Sequence, residues 1–176
     1  HGDSVRIDDD WFRDRIAVAA RMRDDYFADG KTTGYRWVNG ESDGLPGMVL
    51  DRYGAVGVVK VYSAAWLPCI RDGRFLDWVR SSCPVASNWV LRMSRNIHGP
   101  ASEAGLEDGD VLLGVRDDVA VTTFIENGVT FEAEPVQGQK TGFFLDQRDN
   151  RSRVRDLARD AEVLNVFSHT GGFSVH

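Results

Sequence analysis

Apolar positions recur at helical spacing near the start of the chain, then shift to short runs broken by glycine. Phe12, Ile16, Ala19, Ala20, Tyr26 and Phe27 share one face of a helix that should stop near Gly30. Asp8 to Asp10 supply an N-cap and a negative first turn. The opposite face is rich in Asp and Arg, which suits a solvated connector better than a core helix. Strand-like runs follow at Tyr35–Asn39, Met48–Tyr53 and Ala55–Tyr62, separated by GESDGLPG (Gly40–Gly47) and by Gly54. Leu67–Ser82 reads as one helix with Phe75, Leu76 and Val79 on its apolar face and Pro68 in its first turn. Asn88–Met93 and Val111–Val115 read as further strands. Thr122–Glu126 and Val129–Pro135 flank Asn127-Gly128, a pair suited to a two-residue type I′ hairpin turn.

From Leu145 to Ala161 the pattern is helical again. Val154, Leu157, Ala158 and Ala161 share a face, and Asp149 and Arg153 form an i,i+4 pair. Val163–Phe167 then reads as a strand buried on both sides, followed by a turn through Gly171 and Gly172 and the start of a helix. In an open α/β sheet a ligand sits at the carboxyl end of such a strand. The expected fold is α+β: an N-terminal helix, a small mixed α/β unit, and the first elements of a second, Rossmann-like unit. One strand and one turn cannot make a doubly wound sheet, so the chain reads as the front part of a larger enzyme.

Composition narrows the function classes. The 176 residues carry 27 Asp and Glu against 21 Lys and Arg, a net charge of −6. Lys and Arg displace phosphate counterions, so this balance argues against the segment being a main nucleic-acid grip. The stretch Asp146–Asp160 holds five Arg against four Asp and is nearly neutral. No apolar run approaches the ~20 residues that span a bilayer, so no membrane contact is expected. The start, HGDSVRIDDDWF, lacks the regions of a signal peptide. Two cysteines and four scattered histidines give neither a disulfide framework nor a metal-ligand spacing. No metal is expected, and the default compartment is a reducing cytoplasm.

Three blocks together resemble one family: VNGESDGLPGMVLDRYG (Val38–Gly54), GQKTGFFLDQRDNR (Gly138–Arg151) and VLNVFSHTGGF (Val163–Phe173). In this order they resemble the bacterial class I S-adenosylmethionine-dependent methyltransferases of 23S ribosomal RNA. The likeness is to the large-subunit methyltransferase I type, which methylates cytosine at carbon 5. The resemblance implies residues 1–30 as a connecting helix and 31–121 as a middle α/β domain. Residues 122–176 would be a hairpin and the start of the cofactor domain. It implies S-adenosylmethionine as cofactor, ribosomal RNA as partner through the whole protein, and a PUA domain ahead of this segment. The catalytic cysteine and most of the cofactor sheet would lie beyond His176, leaving this segment inactive alone. Self-association as a homodimer stays open.

The cofactor would meet Lys140, Phe144, Asp146 and Arg148 in the second block and Phe167, Ser168, Thr170, Gly171 and Gly172 in the third. Backbone N–H groups at the following helix start favour a carboxylate, and Gly171 and Gly172 permit close approach. Asp146 would accept from the cofactor ammonium or N-cap the helix from Gln147. Phe144 would pack on the cofactor or in the core. Arg148 would pair with a carboxylate or an RNA phosphate. His169 reads as a tolerated variant of an aromatic position. Cys69 and Cys83 read as buried structural thiols, and Asp43 as a turn-stabilising residue. The competing reading is a non-catalytic binding module: Pro100–Val115 resembles the helix, turn and strand of a PDZ domain, or simply reverses at Asp108-Gly109-Asp110 into a paired strand.

Overall fold

The computed structural model describes residues 6–166, 168 and 171–175. Helix α1 (Asp9–Tyr26) begins where expected, with the Asp8 carboxylate accepting from the Trp11 N–H at 3.1 Å. Ile16, Ala19 and Ala20 are buried against strand β1 (Gly34–Asn39) and helix α3 (Arg74–Ser82). Tyr26 departs from the expected apolar face and is 72% exposed, while Phe27 beyond it stacks on Tyr35 at 4.4 Å. Strands β2 (Met48–Tyr53) and β3 (Val56–Val61) follow. The single helix expected over Leu67–Ser82 is two, α2 (Leu67–Arg71) and α3. Gly73 lies between them at φ 86°, a left-handed conformation that no right-handed helix can continue through.

Strands β4 (Asn88–Met93) and β5 (Val111–Leu113) complete a five-stranded sheet in the order β1-β2-β3-β4-β5. Only the β3–β4 pair is parallel, and α2 and α3 make its crossover. Helix α4 (His98–Glu103) and the turn at Asp108–Asp110 lead into β5, which forms the sheet edge on β4. The stretch that resembled a PDZ element is therefore a helix, a reversal and an edge strand of this sheet.

Period-2 alternation sorts the strand residues onto two faces. Trp37, Leu50, Val59, Trp89 and Leu91 join the cluster formed with α1, α2 and α3. Phe75 meets the Trp89 ring edge-on at 5.6 Å. Tyr53, Val56, Val58 and Val90 belong to the other face. Short helix α5 (Arg116–Ala120) buries Val119 there and leads to the hairpin of β6 (Thr122–Glu126) and β7 (Val129–Ala133). Asn127 and Gly128 take φ 50° and 83°, as a type I′ turn requires. Phe124, Phe131 and Phe143 pack on this second face. The strands read as nearly continuous apolar runs because both faces are covered.

The carboxyl-terminal part departs most from expectation. A 3₁₀ turn (Leu145–Gln147) precedes helix α6 (Arg148–Leu157), which is shorter than the pattern suggested. Leu157 is 74% exposed, Ala161 is exposed, and the residue α6 buries is Arg151. Asp149 pairs with Arg148 at 2.7 Å and not with Arg153. Val163–Val166 form no strand, and Leu164 is 87% exposed. A strand needs partners for its N–H and C=O groups and cover for its side chains, and among the described residues neither is supplied. Phe167, at the end of that expected strand, lies outside the described residues.

Candidate functional site

The second sheet face is apolar at one end and polar at the other, and the segment Gly138–Arg151 lies over the polar end. Arg36 grips Asp51 through two hydrogen bonds, Nε to Oδ1 at 2.8 Å and Nη2 to Oδ2 at 3.2 Å. Asp51 is 1% exposed and faces the buried Thr141, whose hydroxyl donates to Oδ2 at 2.6 Å. Thr141 has one proton to give, so the Tyr53 hydroxyl, 2.8 Å away, donates to it. Burial, then the Asp51 charge, push the Tyr53 phenol well above its ordinary pKa and keep it a neutral donor. Two further cations hold the segment by its backbone: Arg92 donates to the carbonyls of Pro135 and Gly138, each at 3.0 Å, and Lys60 to that of Lys140 at 3.2 Å.

Of the expected site residues, Lys140, Phe144 and Asp146 gather at one place. Lys140 Nζ lies 2.9 and 2.7 Å from the Asp146 carboxylate oxygens and 4.6 Å above the Phe144 ring. The hydrogen bond from Lys140 holds the Asp146 carboxyl below its ordinary pKa. Asp146 does not cap α6: the N-cap is Gln147, with no side-chain cap bond. Arg148 turns toward the end of α1, its guanidinium over Phe27 at 4.6 Å and Tyr26 at 5.7 Å. Lys140, Asp146 and Arg148 edge a cleft of about 610 Å³ between the sheet and this segment, with Arg36, Asp51, Lys60 and Tyr62 on the sheet side, whereas Phe144 lines a neighbouring pocket with Gln139 and Gly142.

The third block is placed through Arg151. Its guanidinium makes two 2.6 Å hydrogen bonds to Glu126 of the hairpin and a third, 3.0 Å, to the Phe144 carbonyl. Glu126 is 0% and Arg151 2% exposed, so the pair is wholly buried. The Phe143 ring lies 4.7 Å and the Phe173 ring 5.9 Å from the guanidinium carbon. A Cβ on Gly172 would lie 3.5 Å from the Arg151 side chain and 3.7 Å from Phe143. The Ser168–Ser174 turn is closed by Gly171 N–H to Ser168 C=O and Ser174 N–H to Gly171 C=O, both 2.7 Å. Gly171 takes φ 74° with open space where a Cβ would be. Gly172 thus sits beside the second block, with Gly171 and Ser168 joined to it through the turn. Phe167, His169 and Thr170 lie outside the described residues.

Sequence reading missed Glu126 and Arg151 as partners. The only signal was a Glu at the end of the apolar run Phe124–Ile125, since nothing in the sequence singles out Arg151 among the neighbouring arginines or pairs positions 25 residues apart. It also missed Arg36–Asp51–Thr141. Asp43 does stabilise its turn, accepting from the Asn39 N–H at 2.6 Å and from Arg23 at 2.9 Å. Cys69 and Cys83 are buried thiols as expected. Burial pushes Cys69 up to about 11 and Cys83 higher still.

Known proteins show what this arrangement is similar to. The S-adenosylmethionine-dependent methyltransferase family matches residues 110–176. A ribosomal RNA large subunit methyltransferase of Deinococcus radiodurans is 48% identical over 179 residues, which cover 99% of this chain and 43% of that protein. The chain is similar to these methyltransferases over nearly its whole length. The ribosomal RNA large subunit methyltransferase I of Alteromonas mediterranea is 35% identical across 97% of the chain and 41% of its own length. The chain therefore spans about two fifths of the curated methyltransferases it matches. A solved structure, a candidate S-adenosylmethionine-dependent methyltransferase from Streptococcus mutans, superposes with a TM-score of 0.76 at 25% identity, covering 98% of this chain and 42% of that one. A second, solved in complex with SAH, gives 0.75 at 24% identity with the same coverage and supports the fold alone. No described helix is long and apolar enough to cross a membrane.

Proposed function

We propose that the intact protein carrying this segment transfers a methyl group from S-adenosylmethionine to carbon 5 of a cytosine in 23S ribosomal RNA, in the cytoplasm. The observation that carries the reading is the meeting of two segments far apart in sequence, as Gly172 packs on Arg151 and Phe143 of the Gly138–Arg151 segment. In the proposed intact protein Val163–Val166 join the cofactor sheet, and a strand end and a loop beside it form the crevice in which α/β sheets take their ligands.

The residues present suit one wall of such a site. Bound there, S-adenosylmethionine supplies an electrophilic methyl group on a sulfonium. Gly171, left-handed and open on its Cβ side, lets the ligand reach the backbone. Ser168 and Gly172 flank it, and Phe167 and Thr170 are assigned to the cofactor with them on the family likeness alone. Asp146 accepts from the ligand ammonium, sharing its carboxylate with Lys140 or exchanging it, and Phe144 packs beside them. Arg148, partly covered by Phe27, presents its charge to a carboxylate or an RNA phosphate. No residue of this segment is assigned the nucleophile, since both thiols are buried and held protonated. We assign residues 1–30 as a connecting helix, 31–121 as a middle domain and 122–176 as the start of the cofactor domain.

The test is incubation of the intact protein with unmodified 23S RNA and tritiated S-adenosylmethionine, then mass spectrometry of the nucleosides. Label in 5-methylcytidine is expected. The 176-residue segment alone should incorporate no more than a no-protein control. Incorporation by the segment would overturn this placement of the catalytic residues.

A further inference from the structure

The cleft between the sheet and the Gly138–Arg151 segment has a second wall that the cofactor reading leaves unused. Five Lys or Arg and three Asp line the cleft, in a chain where acids outnumber bases 27 to 21. Four of the five cations are in ion pairs: Arg23 with Asp43, Arg36 with Asp51, Lys140 with Asp146 and Arg148 with Asp149. Lys60 differs. Among the described residues its ammonium has no carboxylate within ion-pair distance; it donates to the Lys140 carbonyl at 3.2 Å and lies 5.6 Å from the centre of the Tyr62 ring. Its cross-strand neighbour on β4 is another cation, Arg92.

We propose that Lys60 and Tyr62 form a subsite for single-stranded RNA, with Lys60 holding a backbone phosphate and Tyr62 stacking a base beside it. The inference rests on the RNA methyltransferase reading above and names where the substrate lies against this segment. Single-stranded nucleic acid is gripped by cations along its backbone and by aromatic faces under its bases. Tyr62 is 45% exposed at the end of β3, two residues beyond Lys60, and lines the same cleft. Half-burial, and then the Arg92 charge, lower the Lys60 pKa. An anion placed at the ammonium offsets both, and the monoanionic phosphodiester is the anion the RNA backbone supplies. The opposite wall, Lys140 and Asp146, belongs to the cofactor, so an RNA on the Lys60 side would face the methyl donor across the cleft.

The experiment uses the intact protein, its Lys60→Gln, Lys60→Arg and Tyr62→Leu variants, and an unmodified 23S RNA transcript. Filter binding over a series of salt concentrations gives the affinity and its salt slope, and calorimetry gives S-adenosylmethionine affinity. Lys60→Gln should weaken RNA binding severalfold and lower the salt slope by about one. Lys60→Arg should restore both. Tyr62→Leu should weaken binding about fivefold or more and leave the slope alone. None should change cofactor affinity. Wild-type RNA affinity and slope in Lys60→Gln, with methyl transfer intact, would overturn the subsite and leave the methyltransferase reading standing. A wild-type protein that binds cofactor but neither holds nor methylates the RNA would overturn both. Equal loss in Lys60→Gln and Lys60→Arg, with no change in slope, would show a packing role and overturn the phosphate contact.

Discussion

Arg151 and Glu126 show how much one side-chain pair organises here. Both ions are withdrawn from water, and the bidentate geometry with a third bond to the Phe144 carbonyl satisfies them. Removing one partner strands the other, so Glu126→Ala should destabilise the protein by about 3–5 kcal/mol, measured by urea unfolding. Breaking only the Thr141 hydroxyl link, as Thr141→Val, should cost about 1–3 kcal/mol by leaving Asp51 and Tyr53 short of a partner. The cofactor assignment has its own residue test. Gly171→Val in the intact protein should weaken S-adenosylmethionine binding, read by calorimetric titration, because a branched side chain occupies the open side of a left-handed turn. Asp146→Ala should weaken it too. If Asp146 serves only its half-exposed ion pair with Lys140, affinity should hold and stability fall by no more than about 1 kcal/mol. The two thiols should resist iodoacetamide at pH 8 in the native protein and react on unfolding. Their raised pKa values, about 11 for Cys69 and higher for Cys83, leave them as thiols well above neutral pH.

Among elements, the informative contact is between the hairpin and the sheet it lies on. A Cβ on Gly34 of β1 would come within 2.0 Å of the Phe124 ring on β6. That glycine is what lets the two elements approach. Gly34→Ala should push the hairpin off the sheet and cost about 1–3 kcal/mol, visible as a lower thermal midpoint. The same displacement should carry Glu126, and with it Arg151, away from its position. The α2–α3 break has a comparable local cause: one left-handed glycine divides what periodicity alone presents as a single helix.

At the scale of the whole chain, apolar cover is uneven. The five-stranded sheet is covered on both faces, whereas Leu157, Val163, Leu164 and Val166 are each more than half exposed within a short span. Contiguous apolar exposure of this kind marks a surface that another element covers. In the proposed intact protein that element is the rest of the cofactor sheet. The isolated segment should therefore bind a hydrophobic dye such as ANS strongly, and Leu164→Asp should abolish much of that signal without lowering the unfolding free energy. The intact protein should bind little dye.

The sequence by itself determined the strands at Met48–Tyr53 and Asn88–Met93, the Asp8 cap, the Asn-Gly hairpin and the family likeness. These rest on neighbouring residues: alternation, capping chemistry and turn residues act within a few positions, and a long block such as Gly138–Arg151 identifies itself. Tertiary structure decided everything that depends on distant partners. It placed Thr141 under Asp51 and Tyr53, joined Arg151 to Glu126, turned Arg148 toward α1 and gave the Asp146 carboxylate to Lys140 in place of a helix end. It also left Val163–Val166 without the ladder their composition favours. A strand is a property of its neighbours as much as of its residues, because its backbone groups and both its faces must be satisfied by other parts of the chain.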